Sequence, residues 1–254
     1  MDIIELNHLE EHPFKVINSL SAFRLSSVNS LEEVISFSEA QQKTFSSFFL
    51  TTFDDVNQAT YTSMHASTDE SIYLDQDIDW DNEKQVGQYD SNQQLHICDV
   101  LVNQAIDWQD IAEALLLSDD DLQALRQANE NPDKLIDDVV YLQKALSEQE
   151  SLKIAALPNG YFSGDLNIFQ NHCIVKKMIE HYQYRFLGLG ASWLVFYRQD
   201  FLSELMLNQL VDDLKYIYGH GPKSEHLWQA LALTLKDKKT LLIGYGENIL
   251  ESLE

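Results

Sequence analysis

Cysteine is nearly absent from this chain: Cys98 and Cys173 are the only two in 254 residues. They form no CxxC pair and are too few for a disulfide framework, so reduced thiols in a cytoplasmic setting are expected. Basic residues are scarce as well. Seventeen Lys and Arg face 41 Asp and Glu, a formal net charge of -24. Such a surplus repels DNA, RNA and anionic membrane surfaces, and its long-range attraction selects a basic protein partner instead. Long apolar runs are also missing. No stretch approaches the roughly 18 residues of a membrane span, and the opening MDIIELNHLEEHPF lacks the basic-then-apolar order of a signal peptide. No internal repeat of roughly 20 to 50 residues is visible.

What the chain does have is enough apolar material for a core. Hydrophobic residues make up 44%, with 12 Phe, 11 Tyr and 4 Trp, which excludes a wholly disordered polyanion. The charge is unevenly divided. Residues 1–150 hold 30 acids against 7 bases, whereas residues 151–254 hold 11 against 10. Solubility alone could sustain an acidic surface, but a surplus confined to one part also suits the capture of something positive.

The segment SLEEVISFSEAQQKTFSSFFLTTF opens with a capping-box spacing, Ser30 to Glu33, and carries Leu31, Val34, Ile35, Phe37, Phe45, Phe48, Phe49 and Phe53 at mostly helical intervals. It predicts a helix. From Ser71 to Glu83 the period changes to two, with Ile72, Leu74, Ile78 and Trp80 on one side, Gln76 the exception there, and acids on the other, which predicts a half-buried strand. After the polar stretch GQYDSNQQ, helices are expected in DIAEALLL behind Asp107 and Trp108, in DDDLQALRQA behind Ser118, and in DKLIDDVVYLQKAL behind Asn131 and Pro132. LPNGYFSGD, residues 157–165, marks the expected boundary through Pro158, Gly160 and Gly164. Beyond it the pattern reads as helix NIFQNHCIVKKMIEHY, strands YRFLGLG and ASWLVFYR, a helix from Phe201 to about Lys215, a turn at YGHGP, helix SEHLWQALALTL and strand TLLIGY. The expected fold is therefore α+β: an acidic, mainly helical part over 1–157 with a short strand region, then a smaller α+β unit over 158–254.

Each motif with a chemical reading is incomplete. HLEEH, residues 8–12, matches H-x-x-E-H, but Pro13 follows at once and no helical frame extends beyond it to hold zinc ligands. A calcium loop begun at Asp75 puts Trp80 where the turn needs Gly and Val86 where a bidentate Glu is needed. Begun at Asp77, it puts Asn82 and Gln88 there. GLGAS, residues 188–192, has Gly188 and Gly190 but Trp193 in the place of a third glycine, which suits a tight backbone approach or a bulge. Ser192 lacks a nucleophile-elbow pattern, Cys173 sits beside His172 on one helix, and His220 and His226 flank GPKSE without identifiable partners. No catalytic set, metal site or cofactor emerges. A negatively charged docking face does. Asp75, Asp77, Asp79, Asp81 and Glu83 would stand about 6.8 Å apart along a strand, at roughly 3.4 Å of rise per residue, and several Lys or Arg contacts would relieve their mutual repulsion at once. With Trp80 they form the expected partner-binding set.

The stretch YFSGDLNIFQNHCIVKKMIEHYQYRFLGLGASWLVFYRQD, with the later SEHLWQALALTLKDKKTLLIGY, resembles a family of uncharacterised bacterial α+β domains through Tyr184, Phe186, Gly188, Gly190, Ala191 and Phe196. Taken whole, the chain resembles the immunity proteins of bacterial toxin systems, which are cytoplasmic and often strongly acidic. That resemblance implies a non-enzymatic inhibitor that needs no cofactor. It would neutralise a cognate basic toxin of a contact-dependent or type VI secretion system. Two alternatives stay open: an intracellular enzyme using His172, His220 or His226 with a carboxylate in a pocket between the two parts, and an acidic adaptor.

Overall fold

A computed structural model describes residues 1–6, 17–219, 224–246 and 249–250. HLEEH and His220 lie outside the described residues. The elements are β1 (Asp2–Glu5), β2 (Ser21–Ser26), α1 (Leu31–Phe45), β3 (Phe48–Thr52), α2 (Val56–Ala66), α3 (Glu83–Asn103), α4 (Asp119–Glu130), β4 (Val139–Ala145), α5 (Ile168–Tyr182), β5 (Arg185–Leu189), β6 (Trp193–Tyr197), α6 (Glu204–Tyr218), α7 (Glu225–Leu235) and β7 (Thr240–Gly244). The strands form one mixed sheet in the order β1-β2-β4-β3-β5-β6-β7. Every neighbouring pair is antiparallel except β3 and β5, which run parallel at its centre, with Thr51 opposite Gly188 and Thr52 opposite Leu189. The fold is α+β, as the pattern of elements implies.

The part before Leu157 is mainly helical, as expected, but it holds more than a short strand region: it supplies four of the seven strands. Phe48–Thr52, expected at the end of a long helix, is β3. The helix stops at Phe45 because Ser46 takes a left-handed conformation, φ 49°, and the run FFLTT then presents aromatic and β-branched residues suited to a sheet. Val139–Ala145, expected as helix, is β4. The start signal at Asn131 and Pro132 yields only a single 3-10 turn, Pro132–Leu135, before Val139, Val140 and Tyr141 enter the sheet. DIAEALLL likewise gives only the 3-10 turn Trp108–Ile111. Conversely, GQYDSNQQ lies within the 21-residue α3, whose buried Tyr89, Gln94, Ile97, Cys98 and Leu101 repeat at helical spacing. The caps at Ser30 and Ser118 form as their spacing implies, each accepting from the backbone N–H three residues on.

LPNGYFSGD does not interrupt the core. Leu157, Pro158 and Asn159 are buried, and the β3–β5 pair joins strands from either side of this stretch into one sheet. The elements after Gly164 match the sequence pattern closely. Gly188 lies at a register shift in β5 against β6, and a Cβ there would fall 1.9 Å from the Thr51 carbonyl oxygen. A Cβ on Gly190 would fall 1.0 Å from Asp54 Oδ1. Both glycines therefore serve the close backbone approach expected of GLGAS. Beneath the shift lies Lys153, buried, its ammonium donating to the carbonyls of Phe186 and Leu187.

Candidate partner-binding face

The acidic segment hangs between α2 and α3. Asp55 caps α2 by accepting from Gln58 N at 3.0 Å, and α2 ends in a turn built on Asp69. The Asp69 carbonyl accepts from the backbone of Ile72 and Tyr73, while its carboxylate accepts from the Ser71 N–H and hydroxyl, bonds that hold that carboxyl below its usual range.

From Leu74 to Asp79 the chain forms neither helix nor strand, so the expected strand is absent. The period of two is nevertheless real. Ile72, Leu74, Gln76 and Ile78 turn inward, buried or half-buried, and Tyr73, Asp75, Asp77 and Asp79 face solvent. Helix α3 does the work of a neighbouring strand. Leu74 O accepts from the Tyr89 hydroxyl at 3.5 Å, Gln76 Oε1 from Asn92 Nδ2 at 3.1 Å, and Gln85 Oε1 from Asp79 N at 3.0 Å. An apolar face with period two requires only something to lie on, and a helix serves.

The alternation ends at Asp79, where Asn82 N bonds back to Asp79 O and Asn82 then caps α3. Trp80, expected on the inner side, is instead 66% exposed, its ring 5.3 Å from that of Tyr89 in an edge-on arrangement. Asp81 and Glu83 are exposed too, but Asp81 sits in the turn and Glu83 in the first turn of α3, where the helix dipole favours an acid. Of these five acids, only Asp75, Asp77 and Asp79 share the outward side of the alternation. Among the described residues, no group of three His, Cys, Asp or Glu side chains is arranged to hold a metal ion.

Beside the acids opens a cleft of about 450 Å³ between α2 and α3. Thr60, Ser63 and Met64 line one wall, and Tyr89, Gln93 and Gln94 the other. Ala155–Pro158 also contribute to the lining, as do Tyr73 and Trp80 from the two ends of the acidic segment. Met64, on α2, is mostly exposed. The same helix carries Tyr61 and His65, and the aromatic contacts continue outward. His65 meets Tyr61 at 4.5 Å and stacks on Tyr161 at 5.1 Å, and Tyr161 meets Phe162. Tyr61, Tyr161 and Phe162 are all exposed, giving a surface of large rings. Sequence reasoning found Trp80 and the acids but missed this cleft, whose walls come from segments far apart in the chain. The i,i+4 spacing of Tyr61 and His65 was the one local signal.

Of the described histidines singled out by sequence, His172 stands on α5 and the exposed His226 on α7. His172 is buried on α5 with its Nε2 unpaired, and burial together with the charge of Lys176 pushes its pKa down to about 4. Its neighbour Cys173 is raised to about 11 by burial, which keeps it a thiol. Among the described residues the most perturbed carboxyl is Asp54, just past β3. Burial raises it to about 7, the charges of Asp55 and Asp137 add to the shift, and the Ala191 N–H, 2.9 Å away, opposes it. The Tyr245 hydroxyl donates to the carbonyls of Gly190 and Ala191 at 2.6 and 2.8 Å and fixes the same loop. Asp54 is thus held within packed backbone, away from the cleft.

No helix among the described residues is long and apolar enough to cross a membrane. No protein family, curated protein or solved structure matches the chain.

Proposed function

We propose that this protein is a binding protein of the immunity type, which captures a basic effector domain in the cytoplasm and blocks it. The observation that supports this reading is the mostly exposed Trp80, set at the mouth of a cleft and flanked by the outward carboxylates Asp75, Asp77 and Asp79. Carboxylates on a rim accelerate encounter with a basic surface and disfavour acidic competitors, yet give little net affinity while water screens them. A large aromatic side chain that loses its water on binding supplies the anchor, and Trp is among the residues most enriched in that role. Asp81 and Glu83 add to the negative field from the adjoining turn and helix start. The effector in this reading is a toxin of a contact-dependent or type VI secretion system, and inhibition needs neither catalysis nor a cofactor.

The test is protection. A basic domain encoded beside this gene is expressed under a separate inducer in a host lacking both. Growth should stop, resume when this chain is supplied, and stop again when the chain carries Trp80→Ala with Asp77→Lys and Asp79→Lys. A neighbouring basic domain that is harmless, or toxicity that this chain does not relieve, contradicts the proposal.

A further inference from the structure

The cleft between α2 and α3 carries a more specific chemistry than a general apolar groove. Three of its lining residues are rings, Tyr73, Trp80 and Tyr89, and the Trp80 and Tyr89 rings meet edge-on, at 65° between planes, with most of the indole open to solvent. Elsewhere the chain supplies such rings with its own cations. Lys177 lies over Trp108, Arg185 over Tyr197, Arg198 over Tyr184 and Lys239 over Phe201. Among the described residues, no cation of the chain lies over Tyr73, Trp80 or Tyr89. The segment that carries two of these rings instead carries Asp75, Asp77 and Asp79. Asp90, in the cleft wall, is held in place, its carboxyl oxygen accepting from the Ser19 N–H at 3.0 Å and the Ser19 hydroxyl at 2.5 Å.

A second feature points to a peptide. Gln94 lines the cleft and is 3% exposed. Its Oε1 accepts from Leu146 N at 3.3 Å, which fixes the orientation of the amide, and its Nε2 has no acceptor. A buried donor without a partner is a standing cost. The donor is closed off in this structure, so a peptide carbonyl in the cleft pairs with it only when the Gln94 side chain releases Leu146 N and turns toward the ligand.

We propose that this cleft receives an arginine side chain of the basic partner, with the guanidinium against the Trp80 ring, Tyr73 and Tyr89 as flanking walls, and the adjoining backbone carbonyl at Gln94. The inference rests on the reading above that the partner is a basic protein. Arginine fits better than lysine because a planar, weakly hydrated guanidinium stacks on an aromatic face and loses less hydration there than an ammonium. A cleft of about 450 Å³ accommodates one such side chain with its flanking peptide groups.

The probe is N-acetyl-arginine methylamide, titrated into the ¹⁵N-labelled full chain while the Trp80 indole and Gln94 side-chain amide resonances are followed. Both should shift saturably at millimolar concentrations. The neutral isostere N-acetyl-citrulline methylamide should bind at least tenfold more weakly, and the lysine analogue should fall between them. Trp80→Ala and Tyr73→Ala, each at an exposed ring and with the remaining spectrum unchanged, should weaken binding at least fivefold as read at Gln94. Absence of a saturable shift, or equal binding of the citrulline compound, overturns the proposal. Free arginine binding more tightly than its blocked amide also overturns it, because that result assigns the cleft to a small molecule. The two readings fail separately. Arginine binding without protection from the neighbouring domain sinks the immunity reading alone, and protection that persists without arginine binding sinks the arginine pocket alone.

Discussion

Asp54→Asn should make the stability of the fold less dependent on pH and should raise it above neutrality. Burial lifts the Asp54 carboxyl from 3.8 to about 7, with Asp55 and Asp137 adding to the effect. A carboxyl raised in the folded state keeps its proton where the unfolded chain has already lost it. Its contribution to stability is therefore present in full below about pH 4 and is lost as pH rises through about 7. A shift of about three pH units, at about 1.4 kcal/mol each, amounts to about 4 kcal/mol between those limits. Asparagine retains an oxygen to accept the Ala191 N–H, occupies nearly the same volume against Gly190, and never ionises. The stability difference, variant minus wild type, should be near zero at pH 4 and grow to about 4 kcal/mol by pH 8. Urea unfolding of both proteins at pH 4, 6 and 8 measures it, and titration of the other carboxylates cancels in the difference. A difference that stays flat across that range, or falls, refutes the assignment of a buried, proton-holding Asp54.

Other perturbations separate the core from the face. Trp80→Ala should change unfolding free energy by less than about 1 kcal/mol, since the ring is mostly exposed, yet cost at least about 2 kcal/mol of partner binding; chemical unfolding and calorimetric titration give the two values. Gly188→Ala should destabilise by about 3 kcal/mol in thermal unfolding, because its methyl group would press on the Thr51 backbone across the central parallel pair. His172 should stay neutral down to about pH 4 when its imidazole resonances are titrated. Because burial lowers its pKa in the folded state, its contribution to stability is lost as pH falls from about 6.5 through about 4.

The carboxy-terminal half of the fold was legible because its signals are local. Asn167 caps α5, β5 and β6 are short apolar runs separated by GAS, and Ser203 caps α6, so each element declares itself within a few residues. The amino-terminal half was harder. FFLTT and VVYLQKA each follow a valid helix signal, and only tertiary pairing decides that the chain has left the helix. β3 and β4 stabilise one another as central strands, which intrinsic propensity cannot anticipate. The acidic segment had the right period and the wrong partner: its alternation reports that one side is buried, without saying whether a strand or α3 buries it. The acids and Trp80 were readable as residues. The cleft was not, because Met64, Tyr73, Gln94 and Pro158 become neighbours only when α2, α3 and the buried stretch after Ala155 pack together. Asp54 was hidden beside Asp55: two adjacent acids look alike in sequence, yet one caps a helix in water and the other is sealed beneath a loop.

The most direct measurement is the association rate with the neighbouring basic domain, followed by stopped flow as salt rises from about 0.05 to about 0.5 M. Wild-type association should slow by at least about tenfold across that range, and Asp77→Lys with Asp79→Lys should be slow from the start and nearly indifferent to salt. Identical rates and identical salt slopes for the two proteins would contradict a docking role for the acidic face.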